Sequence, residues 1–154
     1  MSYQFDFDPV HGTLRTRFEG DVTDEELVEF YKGAGAAVAL TDPLRGLIDF
    51  SACTRFDVTA DTVRRLAKST PALPKPAAPR AIVAPTDRMF GMARIFEIEG
   101  ETTRPNIHIV RTLAEALVIL GIFGEARYQS LESFRTGQSQ ESDESAEPEV
   151  ANPR

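Results

Sequence analysis

Few residues in this chain are of the types that make or break bonds, and none stands at the spacing such chemistry needs. There are two histidines, His11 and His108, and one cysteine, Cys53, in 154 residues. His11 falls among the turn residues Pro9 and Gly12, and His108 alternates with Ile107 and Ile109 as a strand residue does. Neither has a neighbour in sequence that suggests a triad. Cys53 has no second cysteine and no flanking cationic cluster to lower its pKa, so it reads as a small buried hydrophobe. So few nitrogen and sulfur donors, none at zinc spacing, argue against a metal site. "GAGA" at 33–36 lies inside a helical pattern and not between a strand and a helix, so it is no phosphate loop. The expectation is a non-enzyme with no catalytic residue, no metal and no cofactor.

Three hydroxyls remain as candidates for a phosphoacceptor or a ligand loop. Ser51 and Thr54 are expected just past the C-terminal end of a strand, where open α/β sheets place ligands. Thr59 is expected to open a helix, where phosphorylation would add a dianion and alter any partner docked there. The simpler role for Thr59 is an N-cap, its hydroxyl serving the helix's own N–H groups. The helix at 88–98 offers a different kind of site. At 100° per residue, Met89, Met92, Ala93 and Phe96 form one buried stripe widened by Ile95, while Phe90 and Ile98 fall outside it beside Arg94 and Glu97. Phe90 either covers the sheet edge or, with Arg88, Arg94 and Ile98, forms a partner-binding surface. Met, Phe and Arg are common at protein interfaces, and the second reading is favoured.

The elements that must position these residues follow from periodicity and turn chemistry. "YQFDFD" (3–8) and "TLRTRFE" (13–19) alternate with period two around a turn, which predicts a hairpin. Thr23 and Glu26 fit a capping box opening a helix through Leu27, Phe30, Tyr31, Ala34, Ala37 and Val38. "GLIDFSA" (46–52) is a strand, followed by a helix from Thr59 or Asp61 carrying Val63, Leu66 and Ala67. Prolines 71, 74, 76 and 79 make a stiff connector to the strand "RAIVAP" (80–85). After the 88–98 helix come the strand "NIHIVRT" (106–112) and a helix capped by Thr112 and ended by Gly121. The order ββαβαβαβα predicts an α/β fold: a mostly parallel five-stranded sheet with an N-terminal antiparallel hairpin and about four helices. Residues 1–121 form this domain, 122–136 are expected to add a C-terminal helix, and 137–154 form an acidic disordered tail.

Charge excludes some partners. The net charge is −7, of which 137–154 carry −4, so the body is nearly balanced and offers no concentrated positive field for nucleic acid. No apolar run approaches the ~18 residues that cross a bilayer. The N-terminal residues show neither a basic nor an apolar leader region, so a cytoplasmic protein with no membrane partner is expected.

Together, "LIDFS", "AIVAP", "FGMARIFE" and "IHIVRTLAEALVILG" resemble the SpoIIAA-like proteins of the STAS/Sec14-like group, over roughly residues 3–121. The resemblance implies a non-enzymatic domain of successive βα units that pairs with itself or with a protein regulator. In sporulation-type members the resemblance implies a phosphorylated serine in an Asp-Ser-Ser-Gly-like motif at the start of the helix after the "LIDFS"-type strand. Here that stretch reads Arg55-Phe56-Asp57-Val58-Thr59-Ala60-Asp61-Thr62, so the motif is absent and Thr59 is the nearest hydroxyl. Two functions are therefore expected in order: a regulatory interaction module self-associating through the 88–98 helix, or a small carrier of an apolar or lipid-like ligand between helices and sheet. A cavity above ~300 Å³ marks the second.

Overall fold

A computed structural model describes residues 2–131. β1 (Tyr3–Asp8) and β2 (Thr13–Thr23) form the hairpin, in antiparallel register with Phe5 opposite Thr16 and Phe7 opposite Leu14. Gly12 makes its turn with φ +62°, and a Cβ there would stand 3.0 Å from Leu44 Cγ, so both backbone and space call for glycine. α1 (Asp24–Thr41) starts at Thr23, whose side chain accepts the Glu26 N–H. β3 (Arg45–Asp57), α2 (Ala60–Lys68), β4 (Arg80–Val83), α3 (Asp87–Glu99), β5 (Ile107–Val110) and α4 (Leu113–Leu120) follow, then a two-residue β6 (Gln129–Ser130).

The strands lie in the order β5-β4-β3-β2-β1-β6. From β2 to β5 each strand is added parallel to the last and on the same side. Right-handed crossovers must then place α1, α2 and α3 on one face of the sheet. The main core fits this: Phe5, Leu14, Phe18, Phe50 and Ile82 of the strands meet Phe30, Val63, Met89 and Ala93 of those helices. Phe18 and Phe50 stack with centroids 4.7 Å apart at its centre. The alternate strand residues Leu47, Ala81, Val83 and Val110 point the other way and are covered by Ala116 and Leu120 of α4.

The sheet is mixed and six-stranded, where five strands were expected. The sixth strand arises where the sequence predicts a helix over 122–136. Gly121 ends α4 with φ +71° and Gly124 follows at φ +93°. The chain then runs extended along the open edge of β1, pairing Asp6 with Ser130 and Phe7 with Gln129. Asp8 accepts the Arg127 N–H at 3.2 Å, and the Arg15 guanidinium lies 3.5 Å over the Tyr128 ring. An edge strand with unpaired N–H and C=O groups thus overrides a weak local helical pattern. The rest of that expected helix and the 137–154 tail lie outside the described residues.

Candidate functional site

Ser51 and Thr54 lie within β3 and not in a loop beyond it. β2 stays paired with β3 as far as Thr23 opposite Asp57, so the strand runs on past the four residues that β4 covers. The Ser51 N–H donates to Asp49 Oδ1 at 2.9 Å, and both Ser51 and Thr54 are exposed. Cys53 is half-buried; burial pushes its thiol pKa up, with Asp21 and Glu26 adding to the rise. A raised thiol is a poor nucleophile.

Thr59 is the N-cap of α2, its Oγ1 accepting the Thr62 N–H. The hydroxyl also donates to Asp24 Oδ2, and the Thr59 N–H donates to Asp24 Oδ1, both at 2.8 Å. Burial alone would raise the Asp24 carboxyl, but these bonds outweigh it, and with Thr62 and the Arg65 charge they hold it below its ordinary value. Asp24 is therefore an anion set against the hydroxyl, where a phosphate would meet like charge.

The four residues of the 88–98 surface have different surroundings. Arg88 reaches back to the sheet, donating from Nε to Phe56 O at 3.0 Å and from Nη2 to Val58 O at 3.3 Å. Arg94 pairs with Glu97 one helical turn on. Phe90 is half-buried, packed against the core edge with the Arg111 guanidinium 4.2 Å above its ring. Arg111 is held there by Asp87 at 2.9 Å. Ile98 is exposed, with 61% of its surface in solvent.

A larger apolar surface lies elsewhere. α4 reads Leu-Ala-Glu-Ala-Leu-Val-Ile-Leu, apolar on every side but Glu115. Its inner residues are buried, leaving Leu113, Val118 and Ile119 exposed, and Phe123, just beyond its end, is 74% exposed. At the same end of the sheet, His11 Nε2 lies 3.3 Å from Phe123 O, next to exposed Val10. His11 is fixed there by its Nδ1, 2.7 Å from Asp8 Oδ2.

A half-open cavity of about 150 Å³ lies between the sheet and the three crossover helices. Phe50 forms part of its floor, Phe30, Leu66, Met92 and Phe96 its walls, and Leu73 of the 69–79 connector its roof. That connector is held by two buried arginines. Arg80 donates to the carbonyls of Leu73 (2.6 Å), Lys75 (3.1 Å), Pro76 (3.4 Å) and Ala78 (2.8 Å). Arg104 donates to Ala67 O at 2.7 Å, to Ser69 O at 3.1 Å and to the Tyr31 hydroxyl, which in turn donates to Thr70 O. Neither arginine has a carboxylate partner among the described residues. Burial, and then the nearby Arg104 charge, lower the Arg80 pKa.

With this geometry the chain aligns with a solved anti-sigma factor antagonist, SpoIIAA in its unphosphorylated form, at TM-score 0.51 and 12% identity, covering 75% of this chain and 94% of that one. The fold is SpoIIAA-like. The phosphorylated form of SpoIIAA, a Bacillus cell fate determinant, aligns at TM-score 0.47 and 15% identity over 75% of this chain and 96% of that one. No protein-family model and no curated protein matches the chain. On the SpoIIAA-like frame, no group of three or more His, Cys, Asp or Glu among the described residues is placed to hold a metal ion. No helix among them is long and apolar enough to cross a membrane. The α4 surface had a legible signal, a helix apolar all round. The paired arginines had none, since their partners are backbone carbonyls of the connector and its flanks.

Proposed function

We propose that this chain is a non-enzymatic cytoplasmic module that works by docking onto another protein, either a regulator or a second copy of itself. One observation carries the reading: α4 turns Leu113, Val118 and Ile119 to solvent, with Phe123 beside them. Each Å² of apolar surface withdrawn from water is favourable by about 25 cal/mol, so a cluster of this kind is a standing drive to association. That the solved SpoIIAA structure is named an anti-sigma factor antagonist supports a regulatory partner. The 88–98 surface is the lesser candidate, because Arg88 and Phe90 are engaged within the fold while Ile98 alone offers apolar area.

Light scattering at high micromolar concentration tests this with three proteins. The wild type is expected to self-associate, Val118→Asp to be monomeric, and Ile98→Asp to behave as wild type. Loss of association in Ile98→Asp alone moves the contact to α3. A monomeric wild type refutes self-association, and an affinity pull-down comparing wild type with Val118→Asp then tests a different partner.

The carrier reading has one observation in its favour, the cavity beneath the 69–79 connector. At about 150 Å³ it is half the lower bound of ordinary ligand pockets, which supports a small molecule and argues against a lipid.

A further inference from the structure

We propose that the cavity beneath the 69–79 connector binds an uncharged apolar molecule the size of a single aromatic ring, carrying at most one hydrogen-bonding group. This names the ligand class for the carrier reading and rests on it.

The cavity is written into the sequence. α1 lines it with Leu27, Phe30, Tyr31 and Val38, and between them Ala34 presents a side chain too short to fill the layer. The opposite wall, α3, supplies Met89 and Met92, unbranched and adaptable side chains suited to closing around a variable shape. The apolar lining is left uncovered by protein, so an apolar occupant that displaces water from it is favoured.

Size and polarity define the occupant. A closed apolar cavity of about 150 Å³ admits benzene, so an apolar pocket of this volume has room for one ring. Arg80 and Arg104 at the rim are not free to receive an anion. Both terminal nitrogens of Arg80 and of Arg104 already donate to carbonyls or hydroxyls, and the Tyr31 hydroxyl is bonded on both sides. A carboxylate would have to break the bonds that hold the roof; a neutral ring would not. One polar group stands apart: Thr16 is 3% exposed, lines the cavity, and its hydroxyl has no hydrogen-bond partner among the described residues. It is placed to meet one ligand hydroxyl or N–H.

The test uses the methionines, since Met89 and Met92 are the only ones besides Met1. With methyl-labelled methionine, the full chain is titrated with toluene, phenol and octanoate. Toluene and phenol are expected to shift the Met89 and Met92 signals, and octanoate to leave them in place. Thr16→Val is expected to weaken phenol roughly fivefold, the worth of one hydrogen bond, and to leave toluene unchanged. Ala34→Leu, checked for folding by circular dichroism, is expected to abolish both shifts. A response to octanoate alone overturns the ligand class and leaves the carrier reading standing. No response to any of the three overturns both.

Discussion

Arg104→Met tests whether the buried arginine holds the connector in place or is merely tolerated there. Arg104 is 3% exposed, and its guanidinium lies 4.8 Å above the Phe96 ring. Its loss strands two backbone carbonyls, Ala67 O and Ser69 O, and removes the donor to Tyr31. A buried acceptor left without a partner costs about 1–3 kcal/mol, so the two carbonyls together cost about 2–6 kcal/mol. Against this, a guanidinium buried without a carboxylate carries a desolvation penalty that methionine does not, and an apolar replacement can recover about 1–2 kcal/mol of it. The net expectation is a loss of about 1–4 kcal/mol. Urea unfolding followed by circular dichroism reads it as a lower midpoint at unchanged slope. Arg104→Lys should lose a similar amount, because an ammonium is a point donor and cannot span both the Tyr31 hydroxyl and the carbonyls on its other side. An Arg104→Met protein within about 0.5 kcal/mol of wild type would refute the reasoning, leaving the cost of the buried charge equal to the worth of its bonds.

Acid sensitivity should centre on two carboxyls, Asp8 and Asp24. Burial alone would raise both, but at Asp8 the bonds from His11, Arg127 and Val10 win, and at Asp24 those from Thr59 win, so both lie below the ordinary 3.8. A depressed carboxyl contributes stability that is full above its unfolded value and lost as pH falls through the folded one. Stability should therefore decline below about pH 4, and Asp24→Asn should lower stability at neutral pH while flattening that decline; an unchanged acid slope contradicts the assignment. Gly12→Ala should cost about 1–2 kcal/mol in urea unfolding, since φ +62° is strained for alanine and the Leu44 side chain must move; a neutral result would mean the turn relaxes freely. Deleting residues 137–154 should leave the melting temperature nearly unchanged, and a large fall would make that acidic segment part of the fold.

What the sequence disclosed was mostly local. Thr23, Thr59 and Thr112 each cap a helix as their positions suggest, because an N-cap bond spans only three residues, and Thr86 does the same for α3. The mostly parallel architecture followed from βα alternation, whereas the sixth strand on the β1 edge did not. Strand lengths did not: β3 runs to Asp57 because β2 is long enough to pair it, which no property of residues 53–57 announces. The helical wheel set Phe90 apart from the buried stripe of α3, yet Phe90 is half-buried against the core just as Met92, Ile95 and Phe96 are. The wheel could not show that Arg111, the residue after β5, would cover that ring. That α4 is apolar all round was legible; which of its residues the sheet covers and which it leaves to solvent was not.

The pairing of β6 with β1 sets a condition on how the chain matures. The bond from Arg127 N–H to Asp8 spans 119 residues, nearly the whole described chain. A ribosome delivers β1 first and its outer neighbour last, so the edge of β1 stays open throughout synthesis of the sheet. Contacts so distant in sequence form late and slowly. Until residue 130 has emerged, the nascent sheet presents an unpaired strand to its surroundings, the interval in which edge-to-edge association competes with folding.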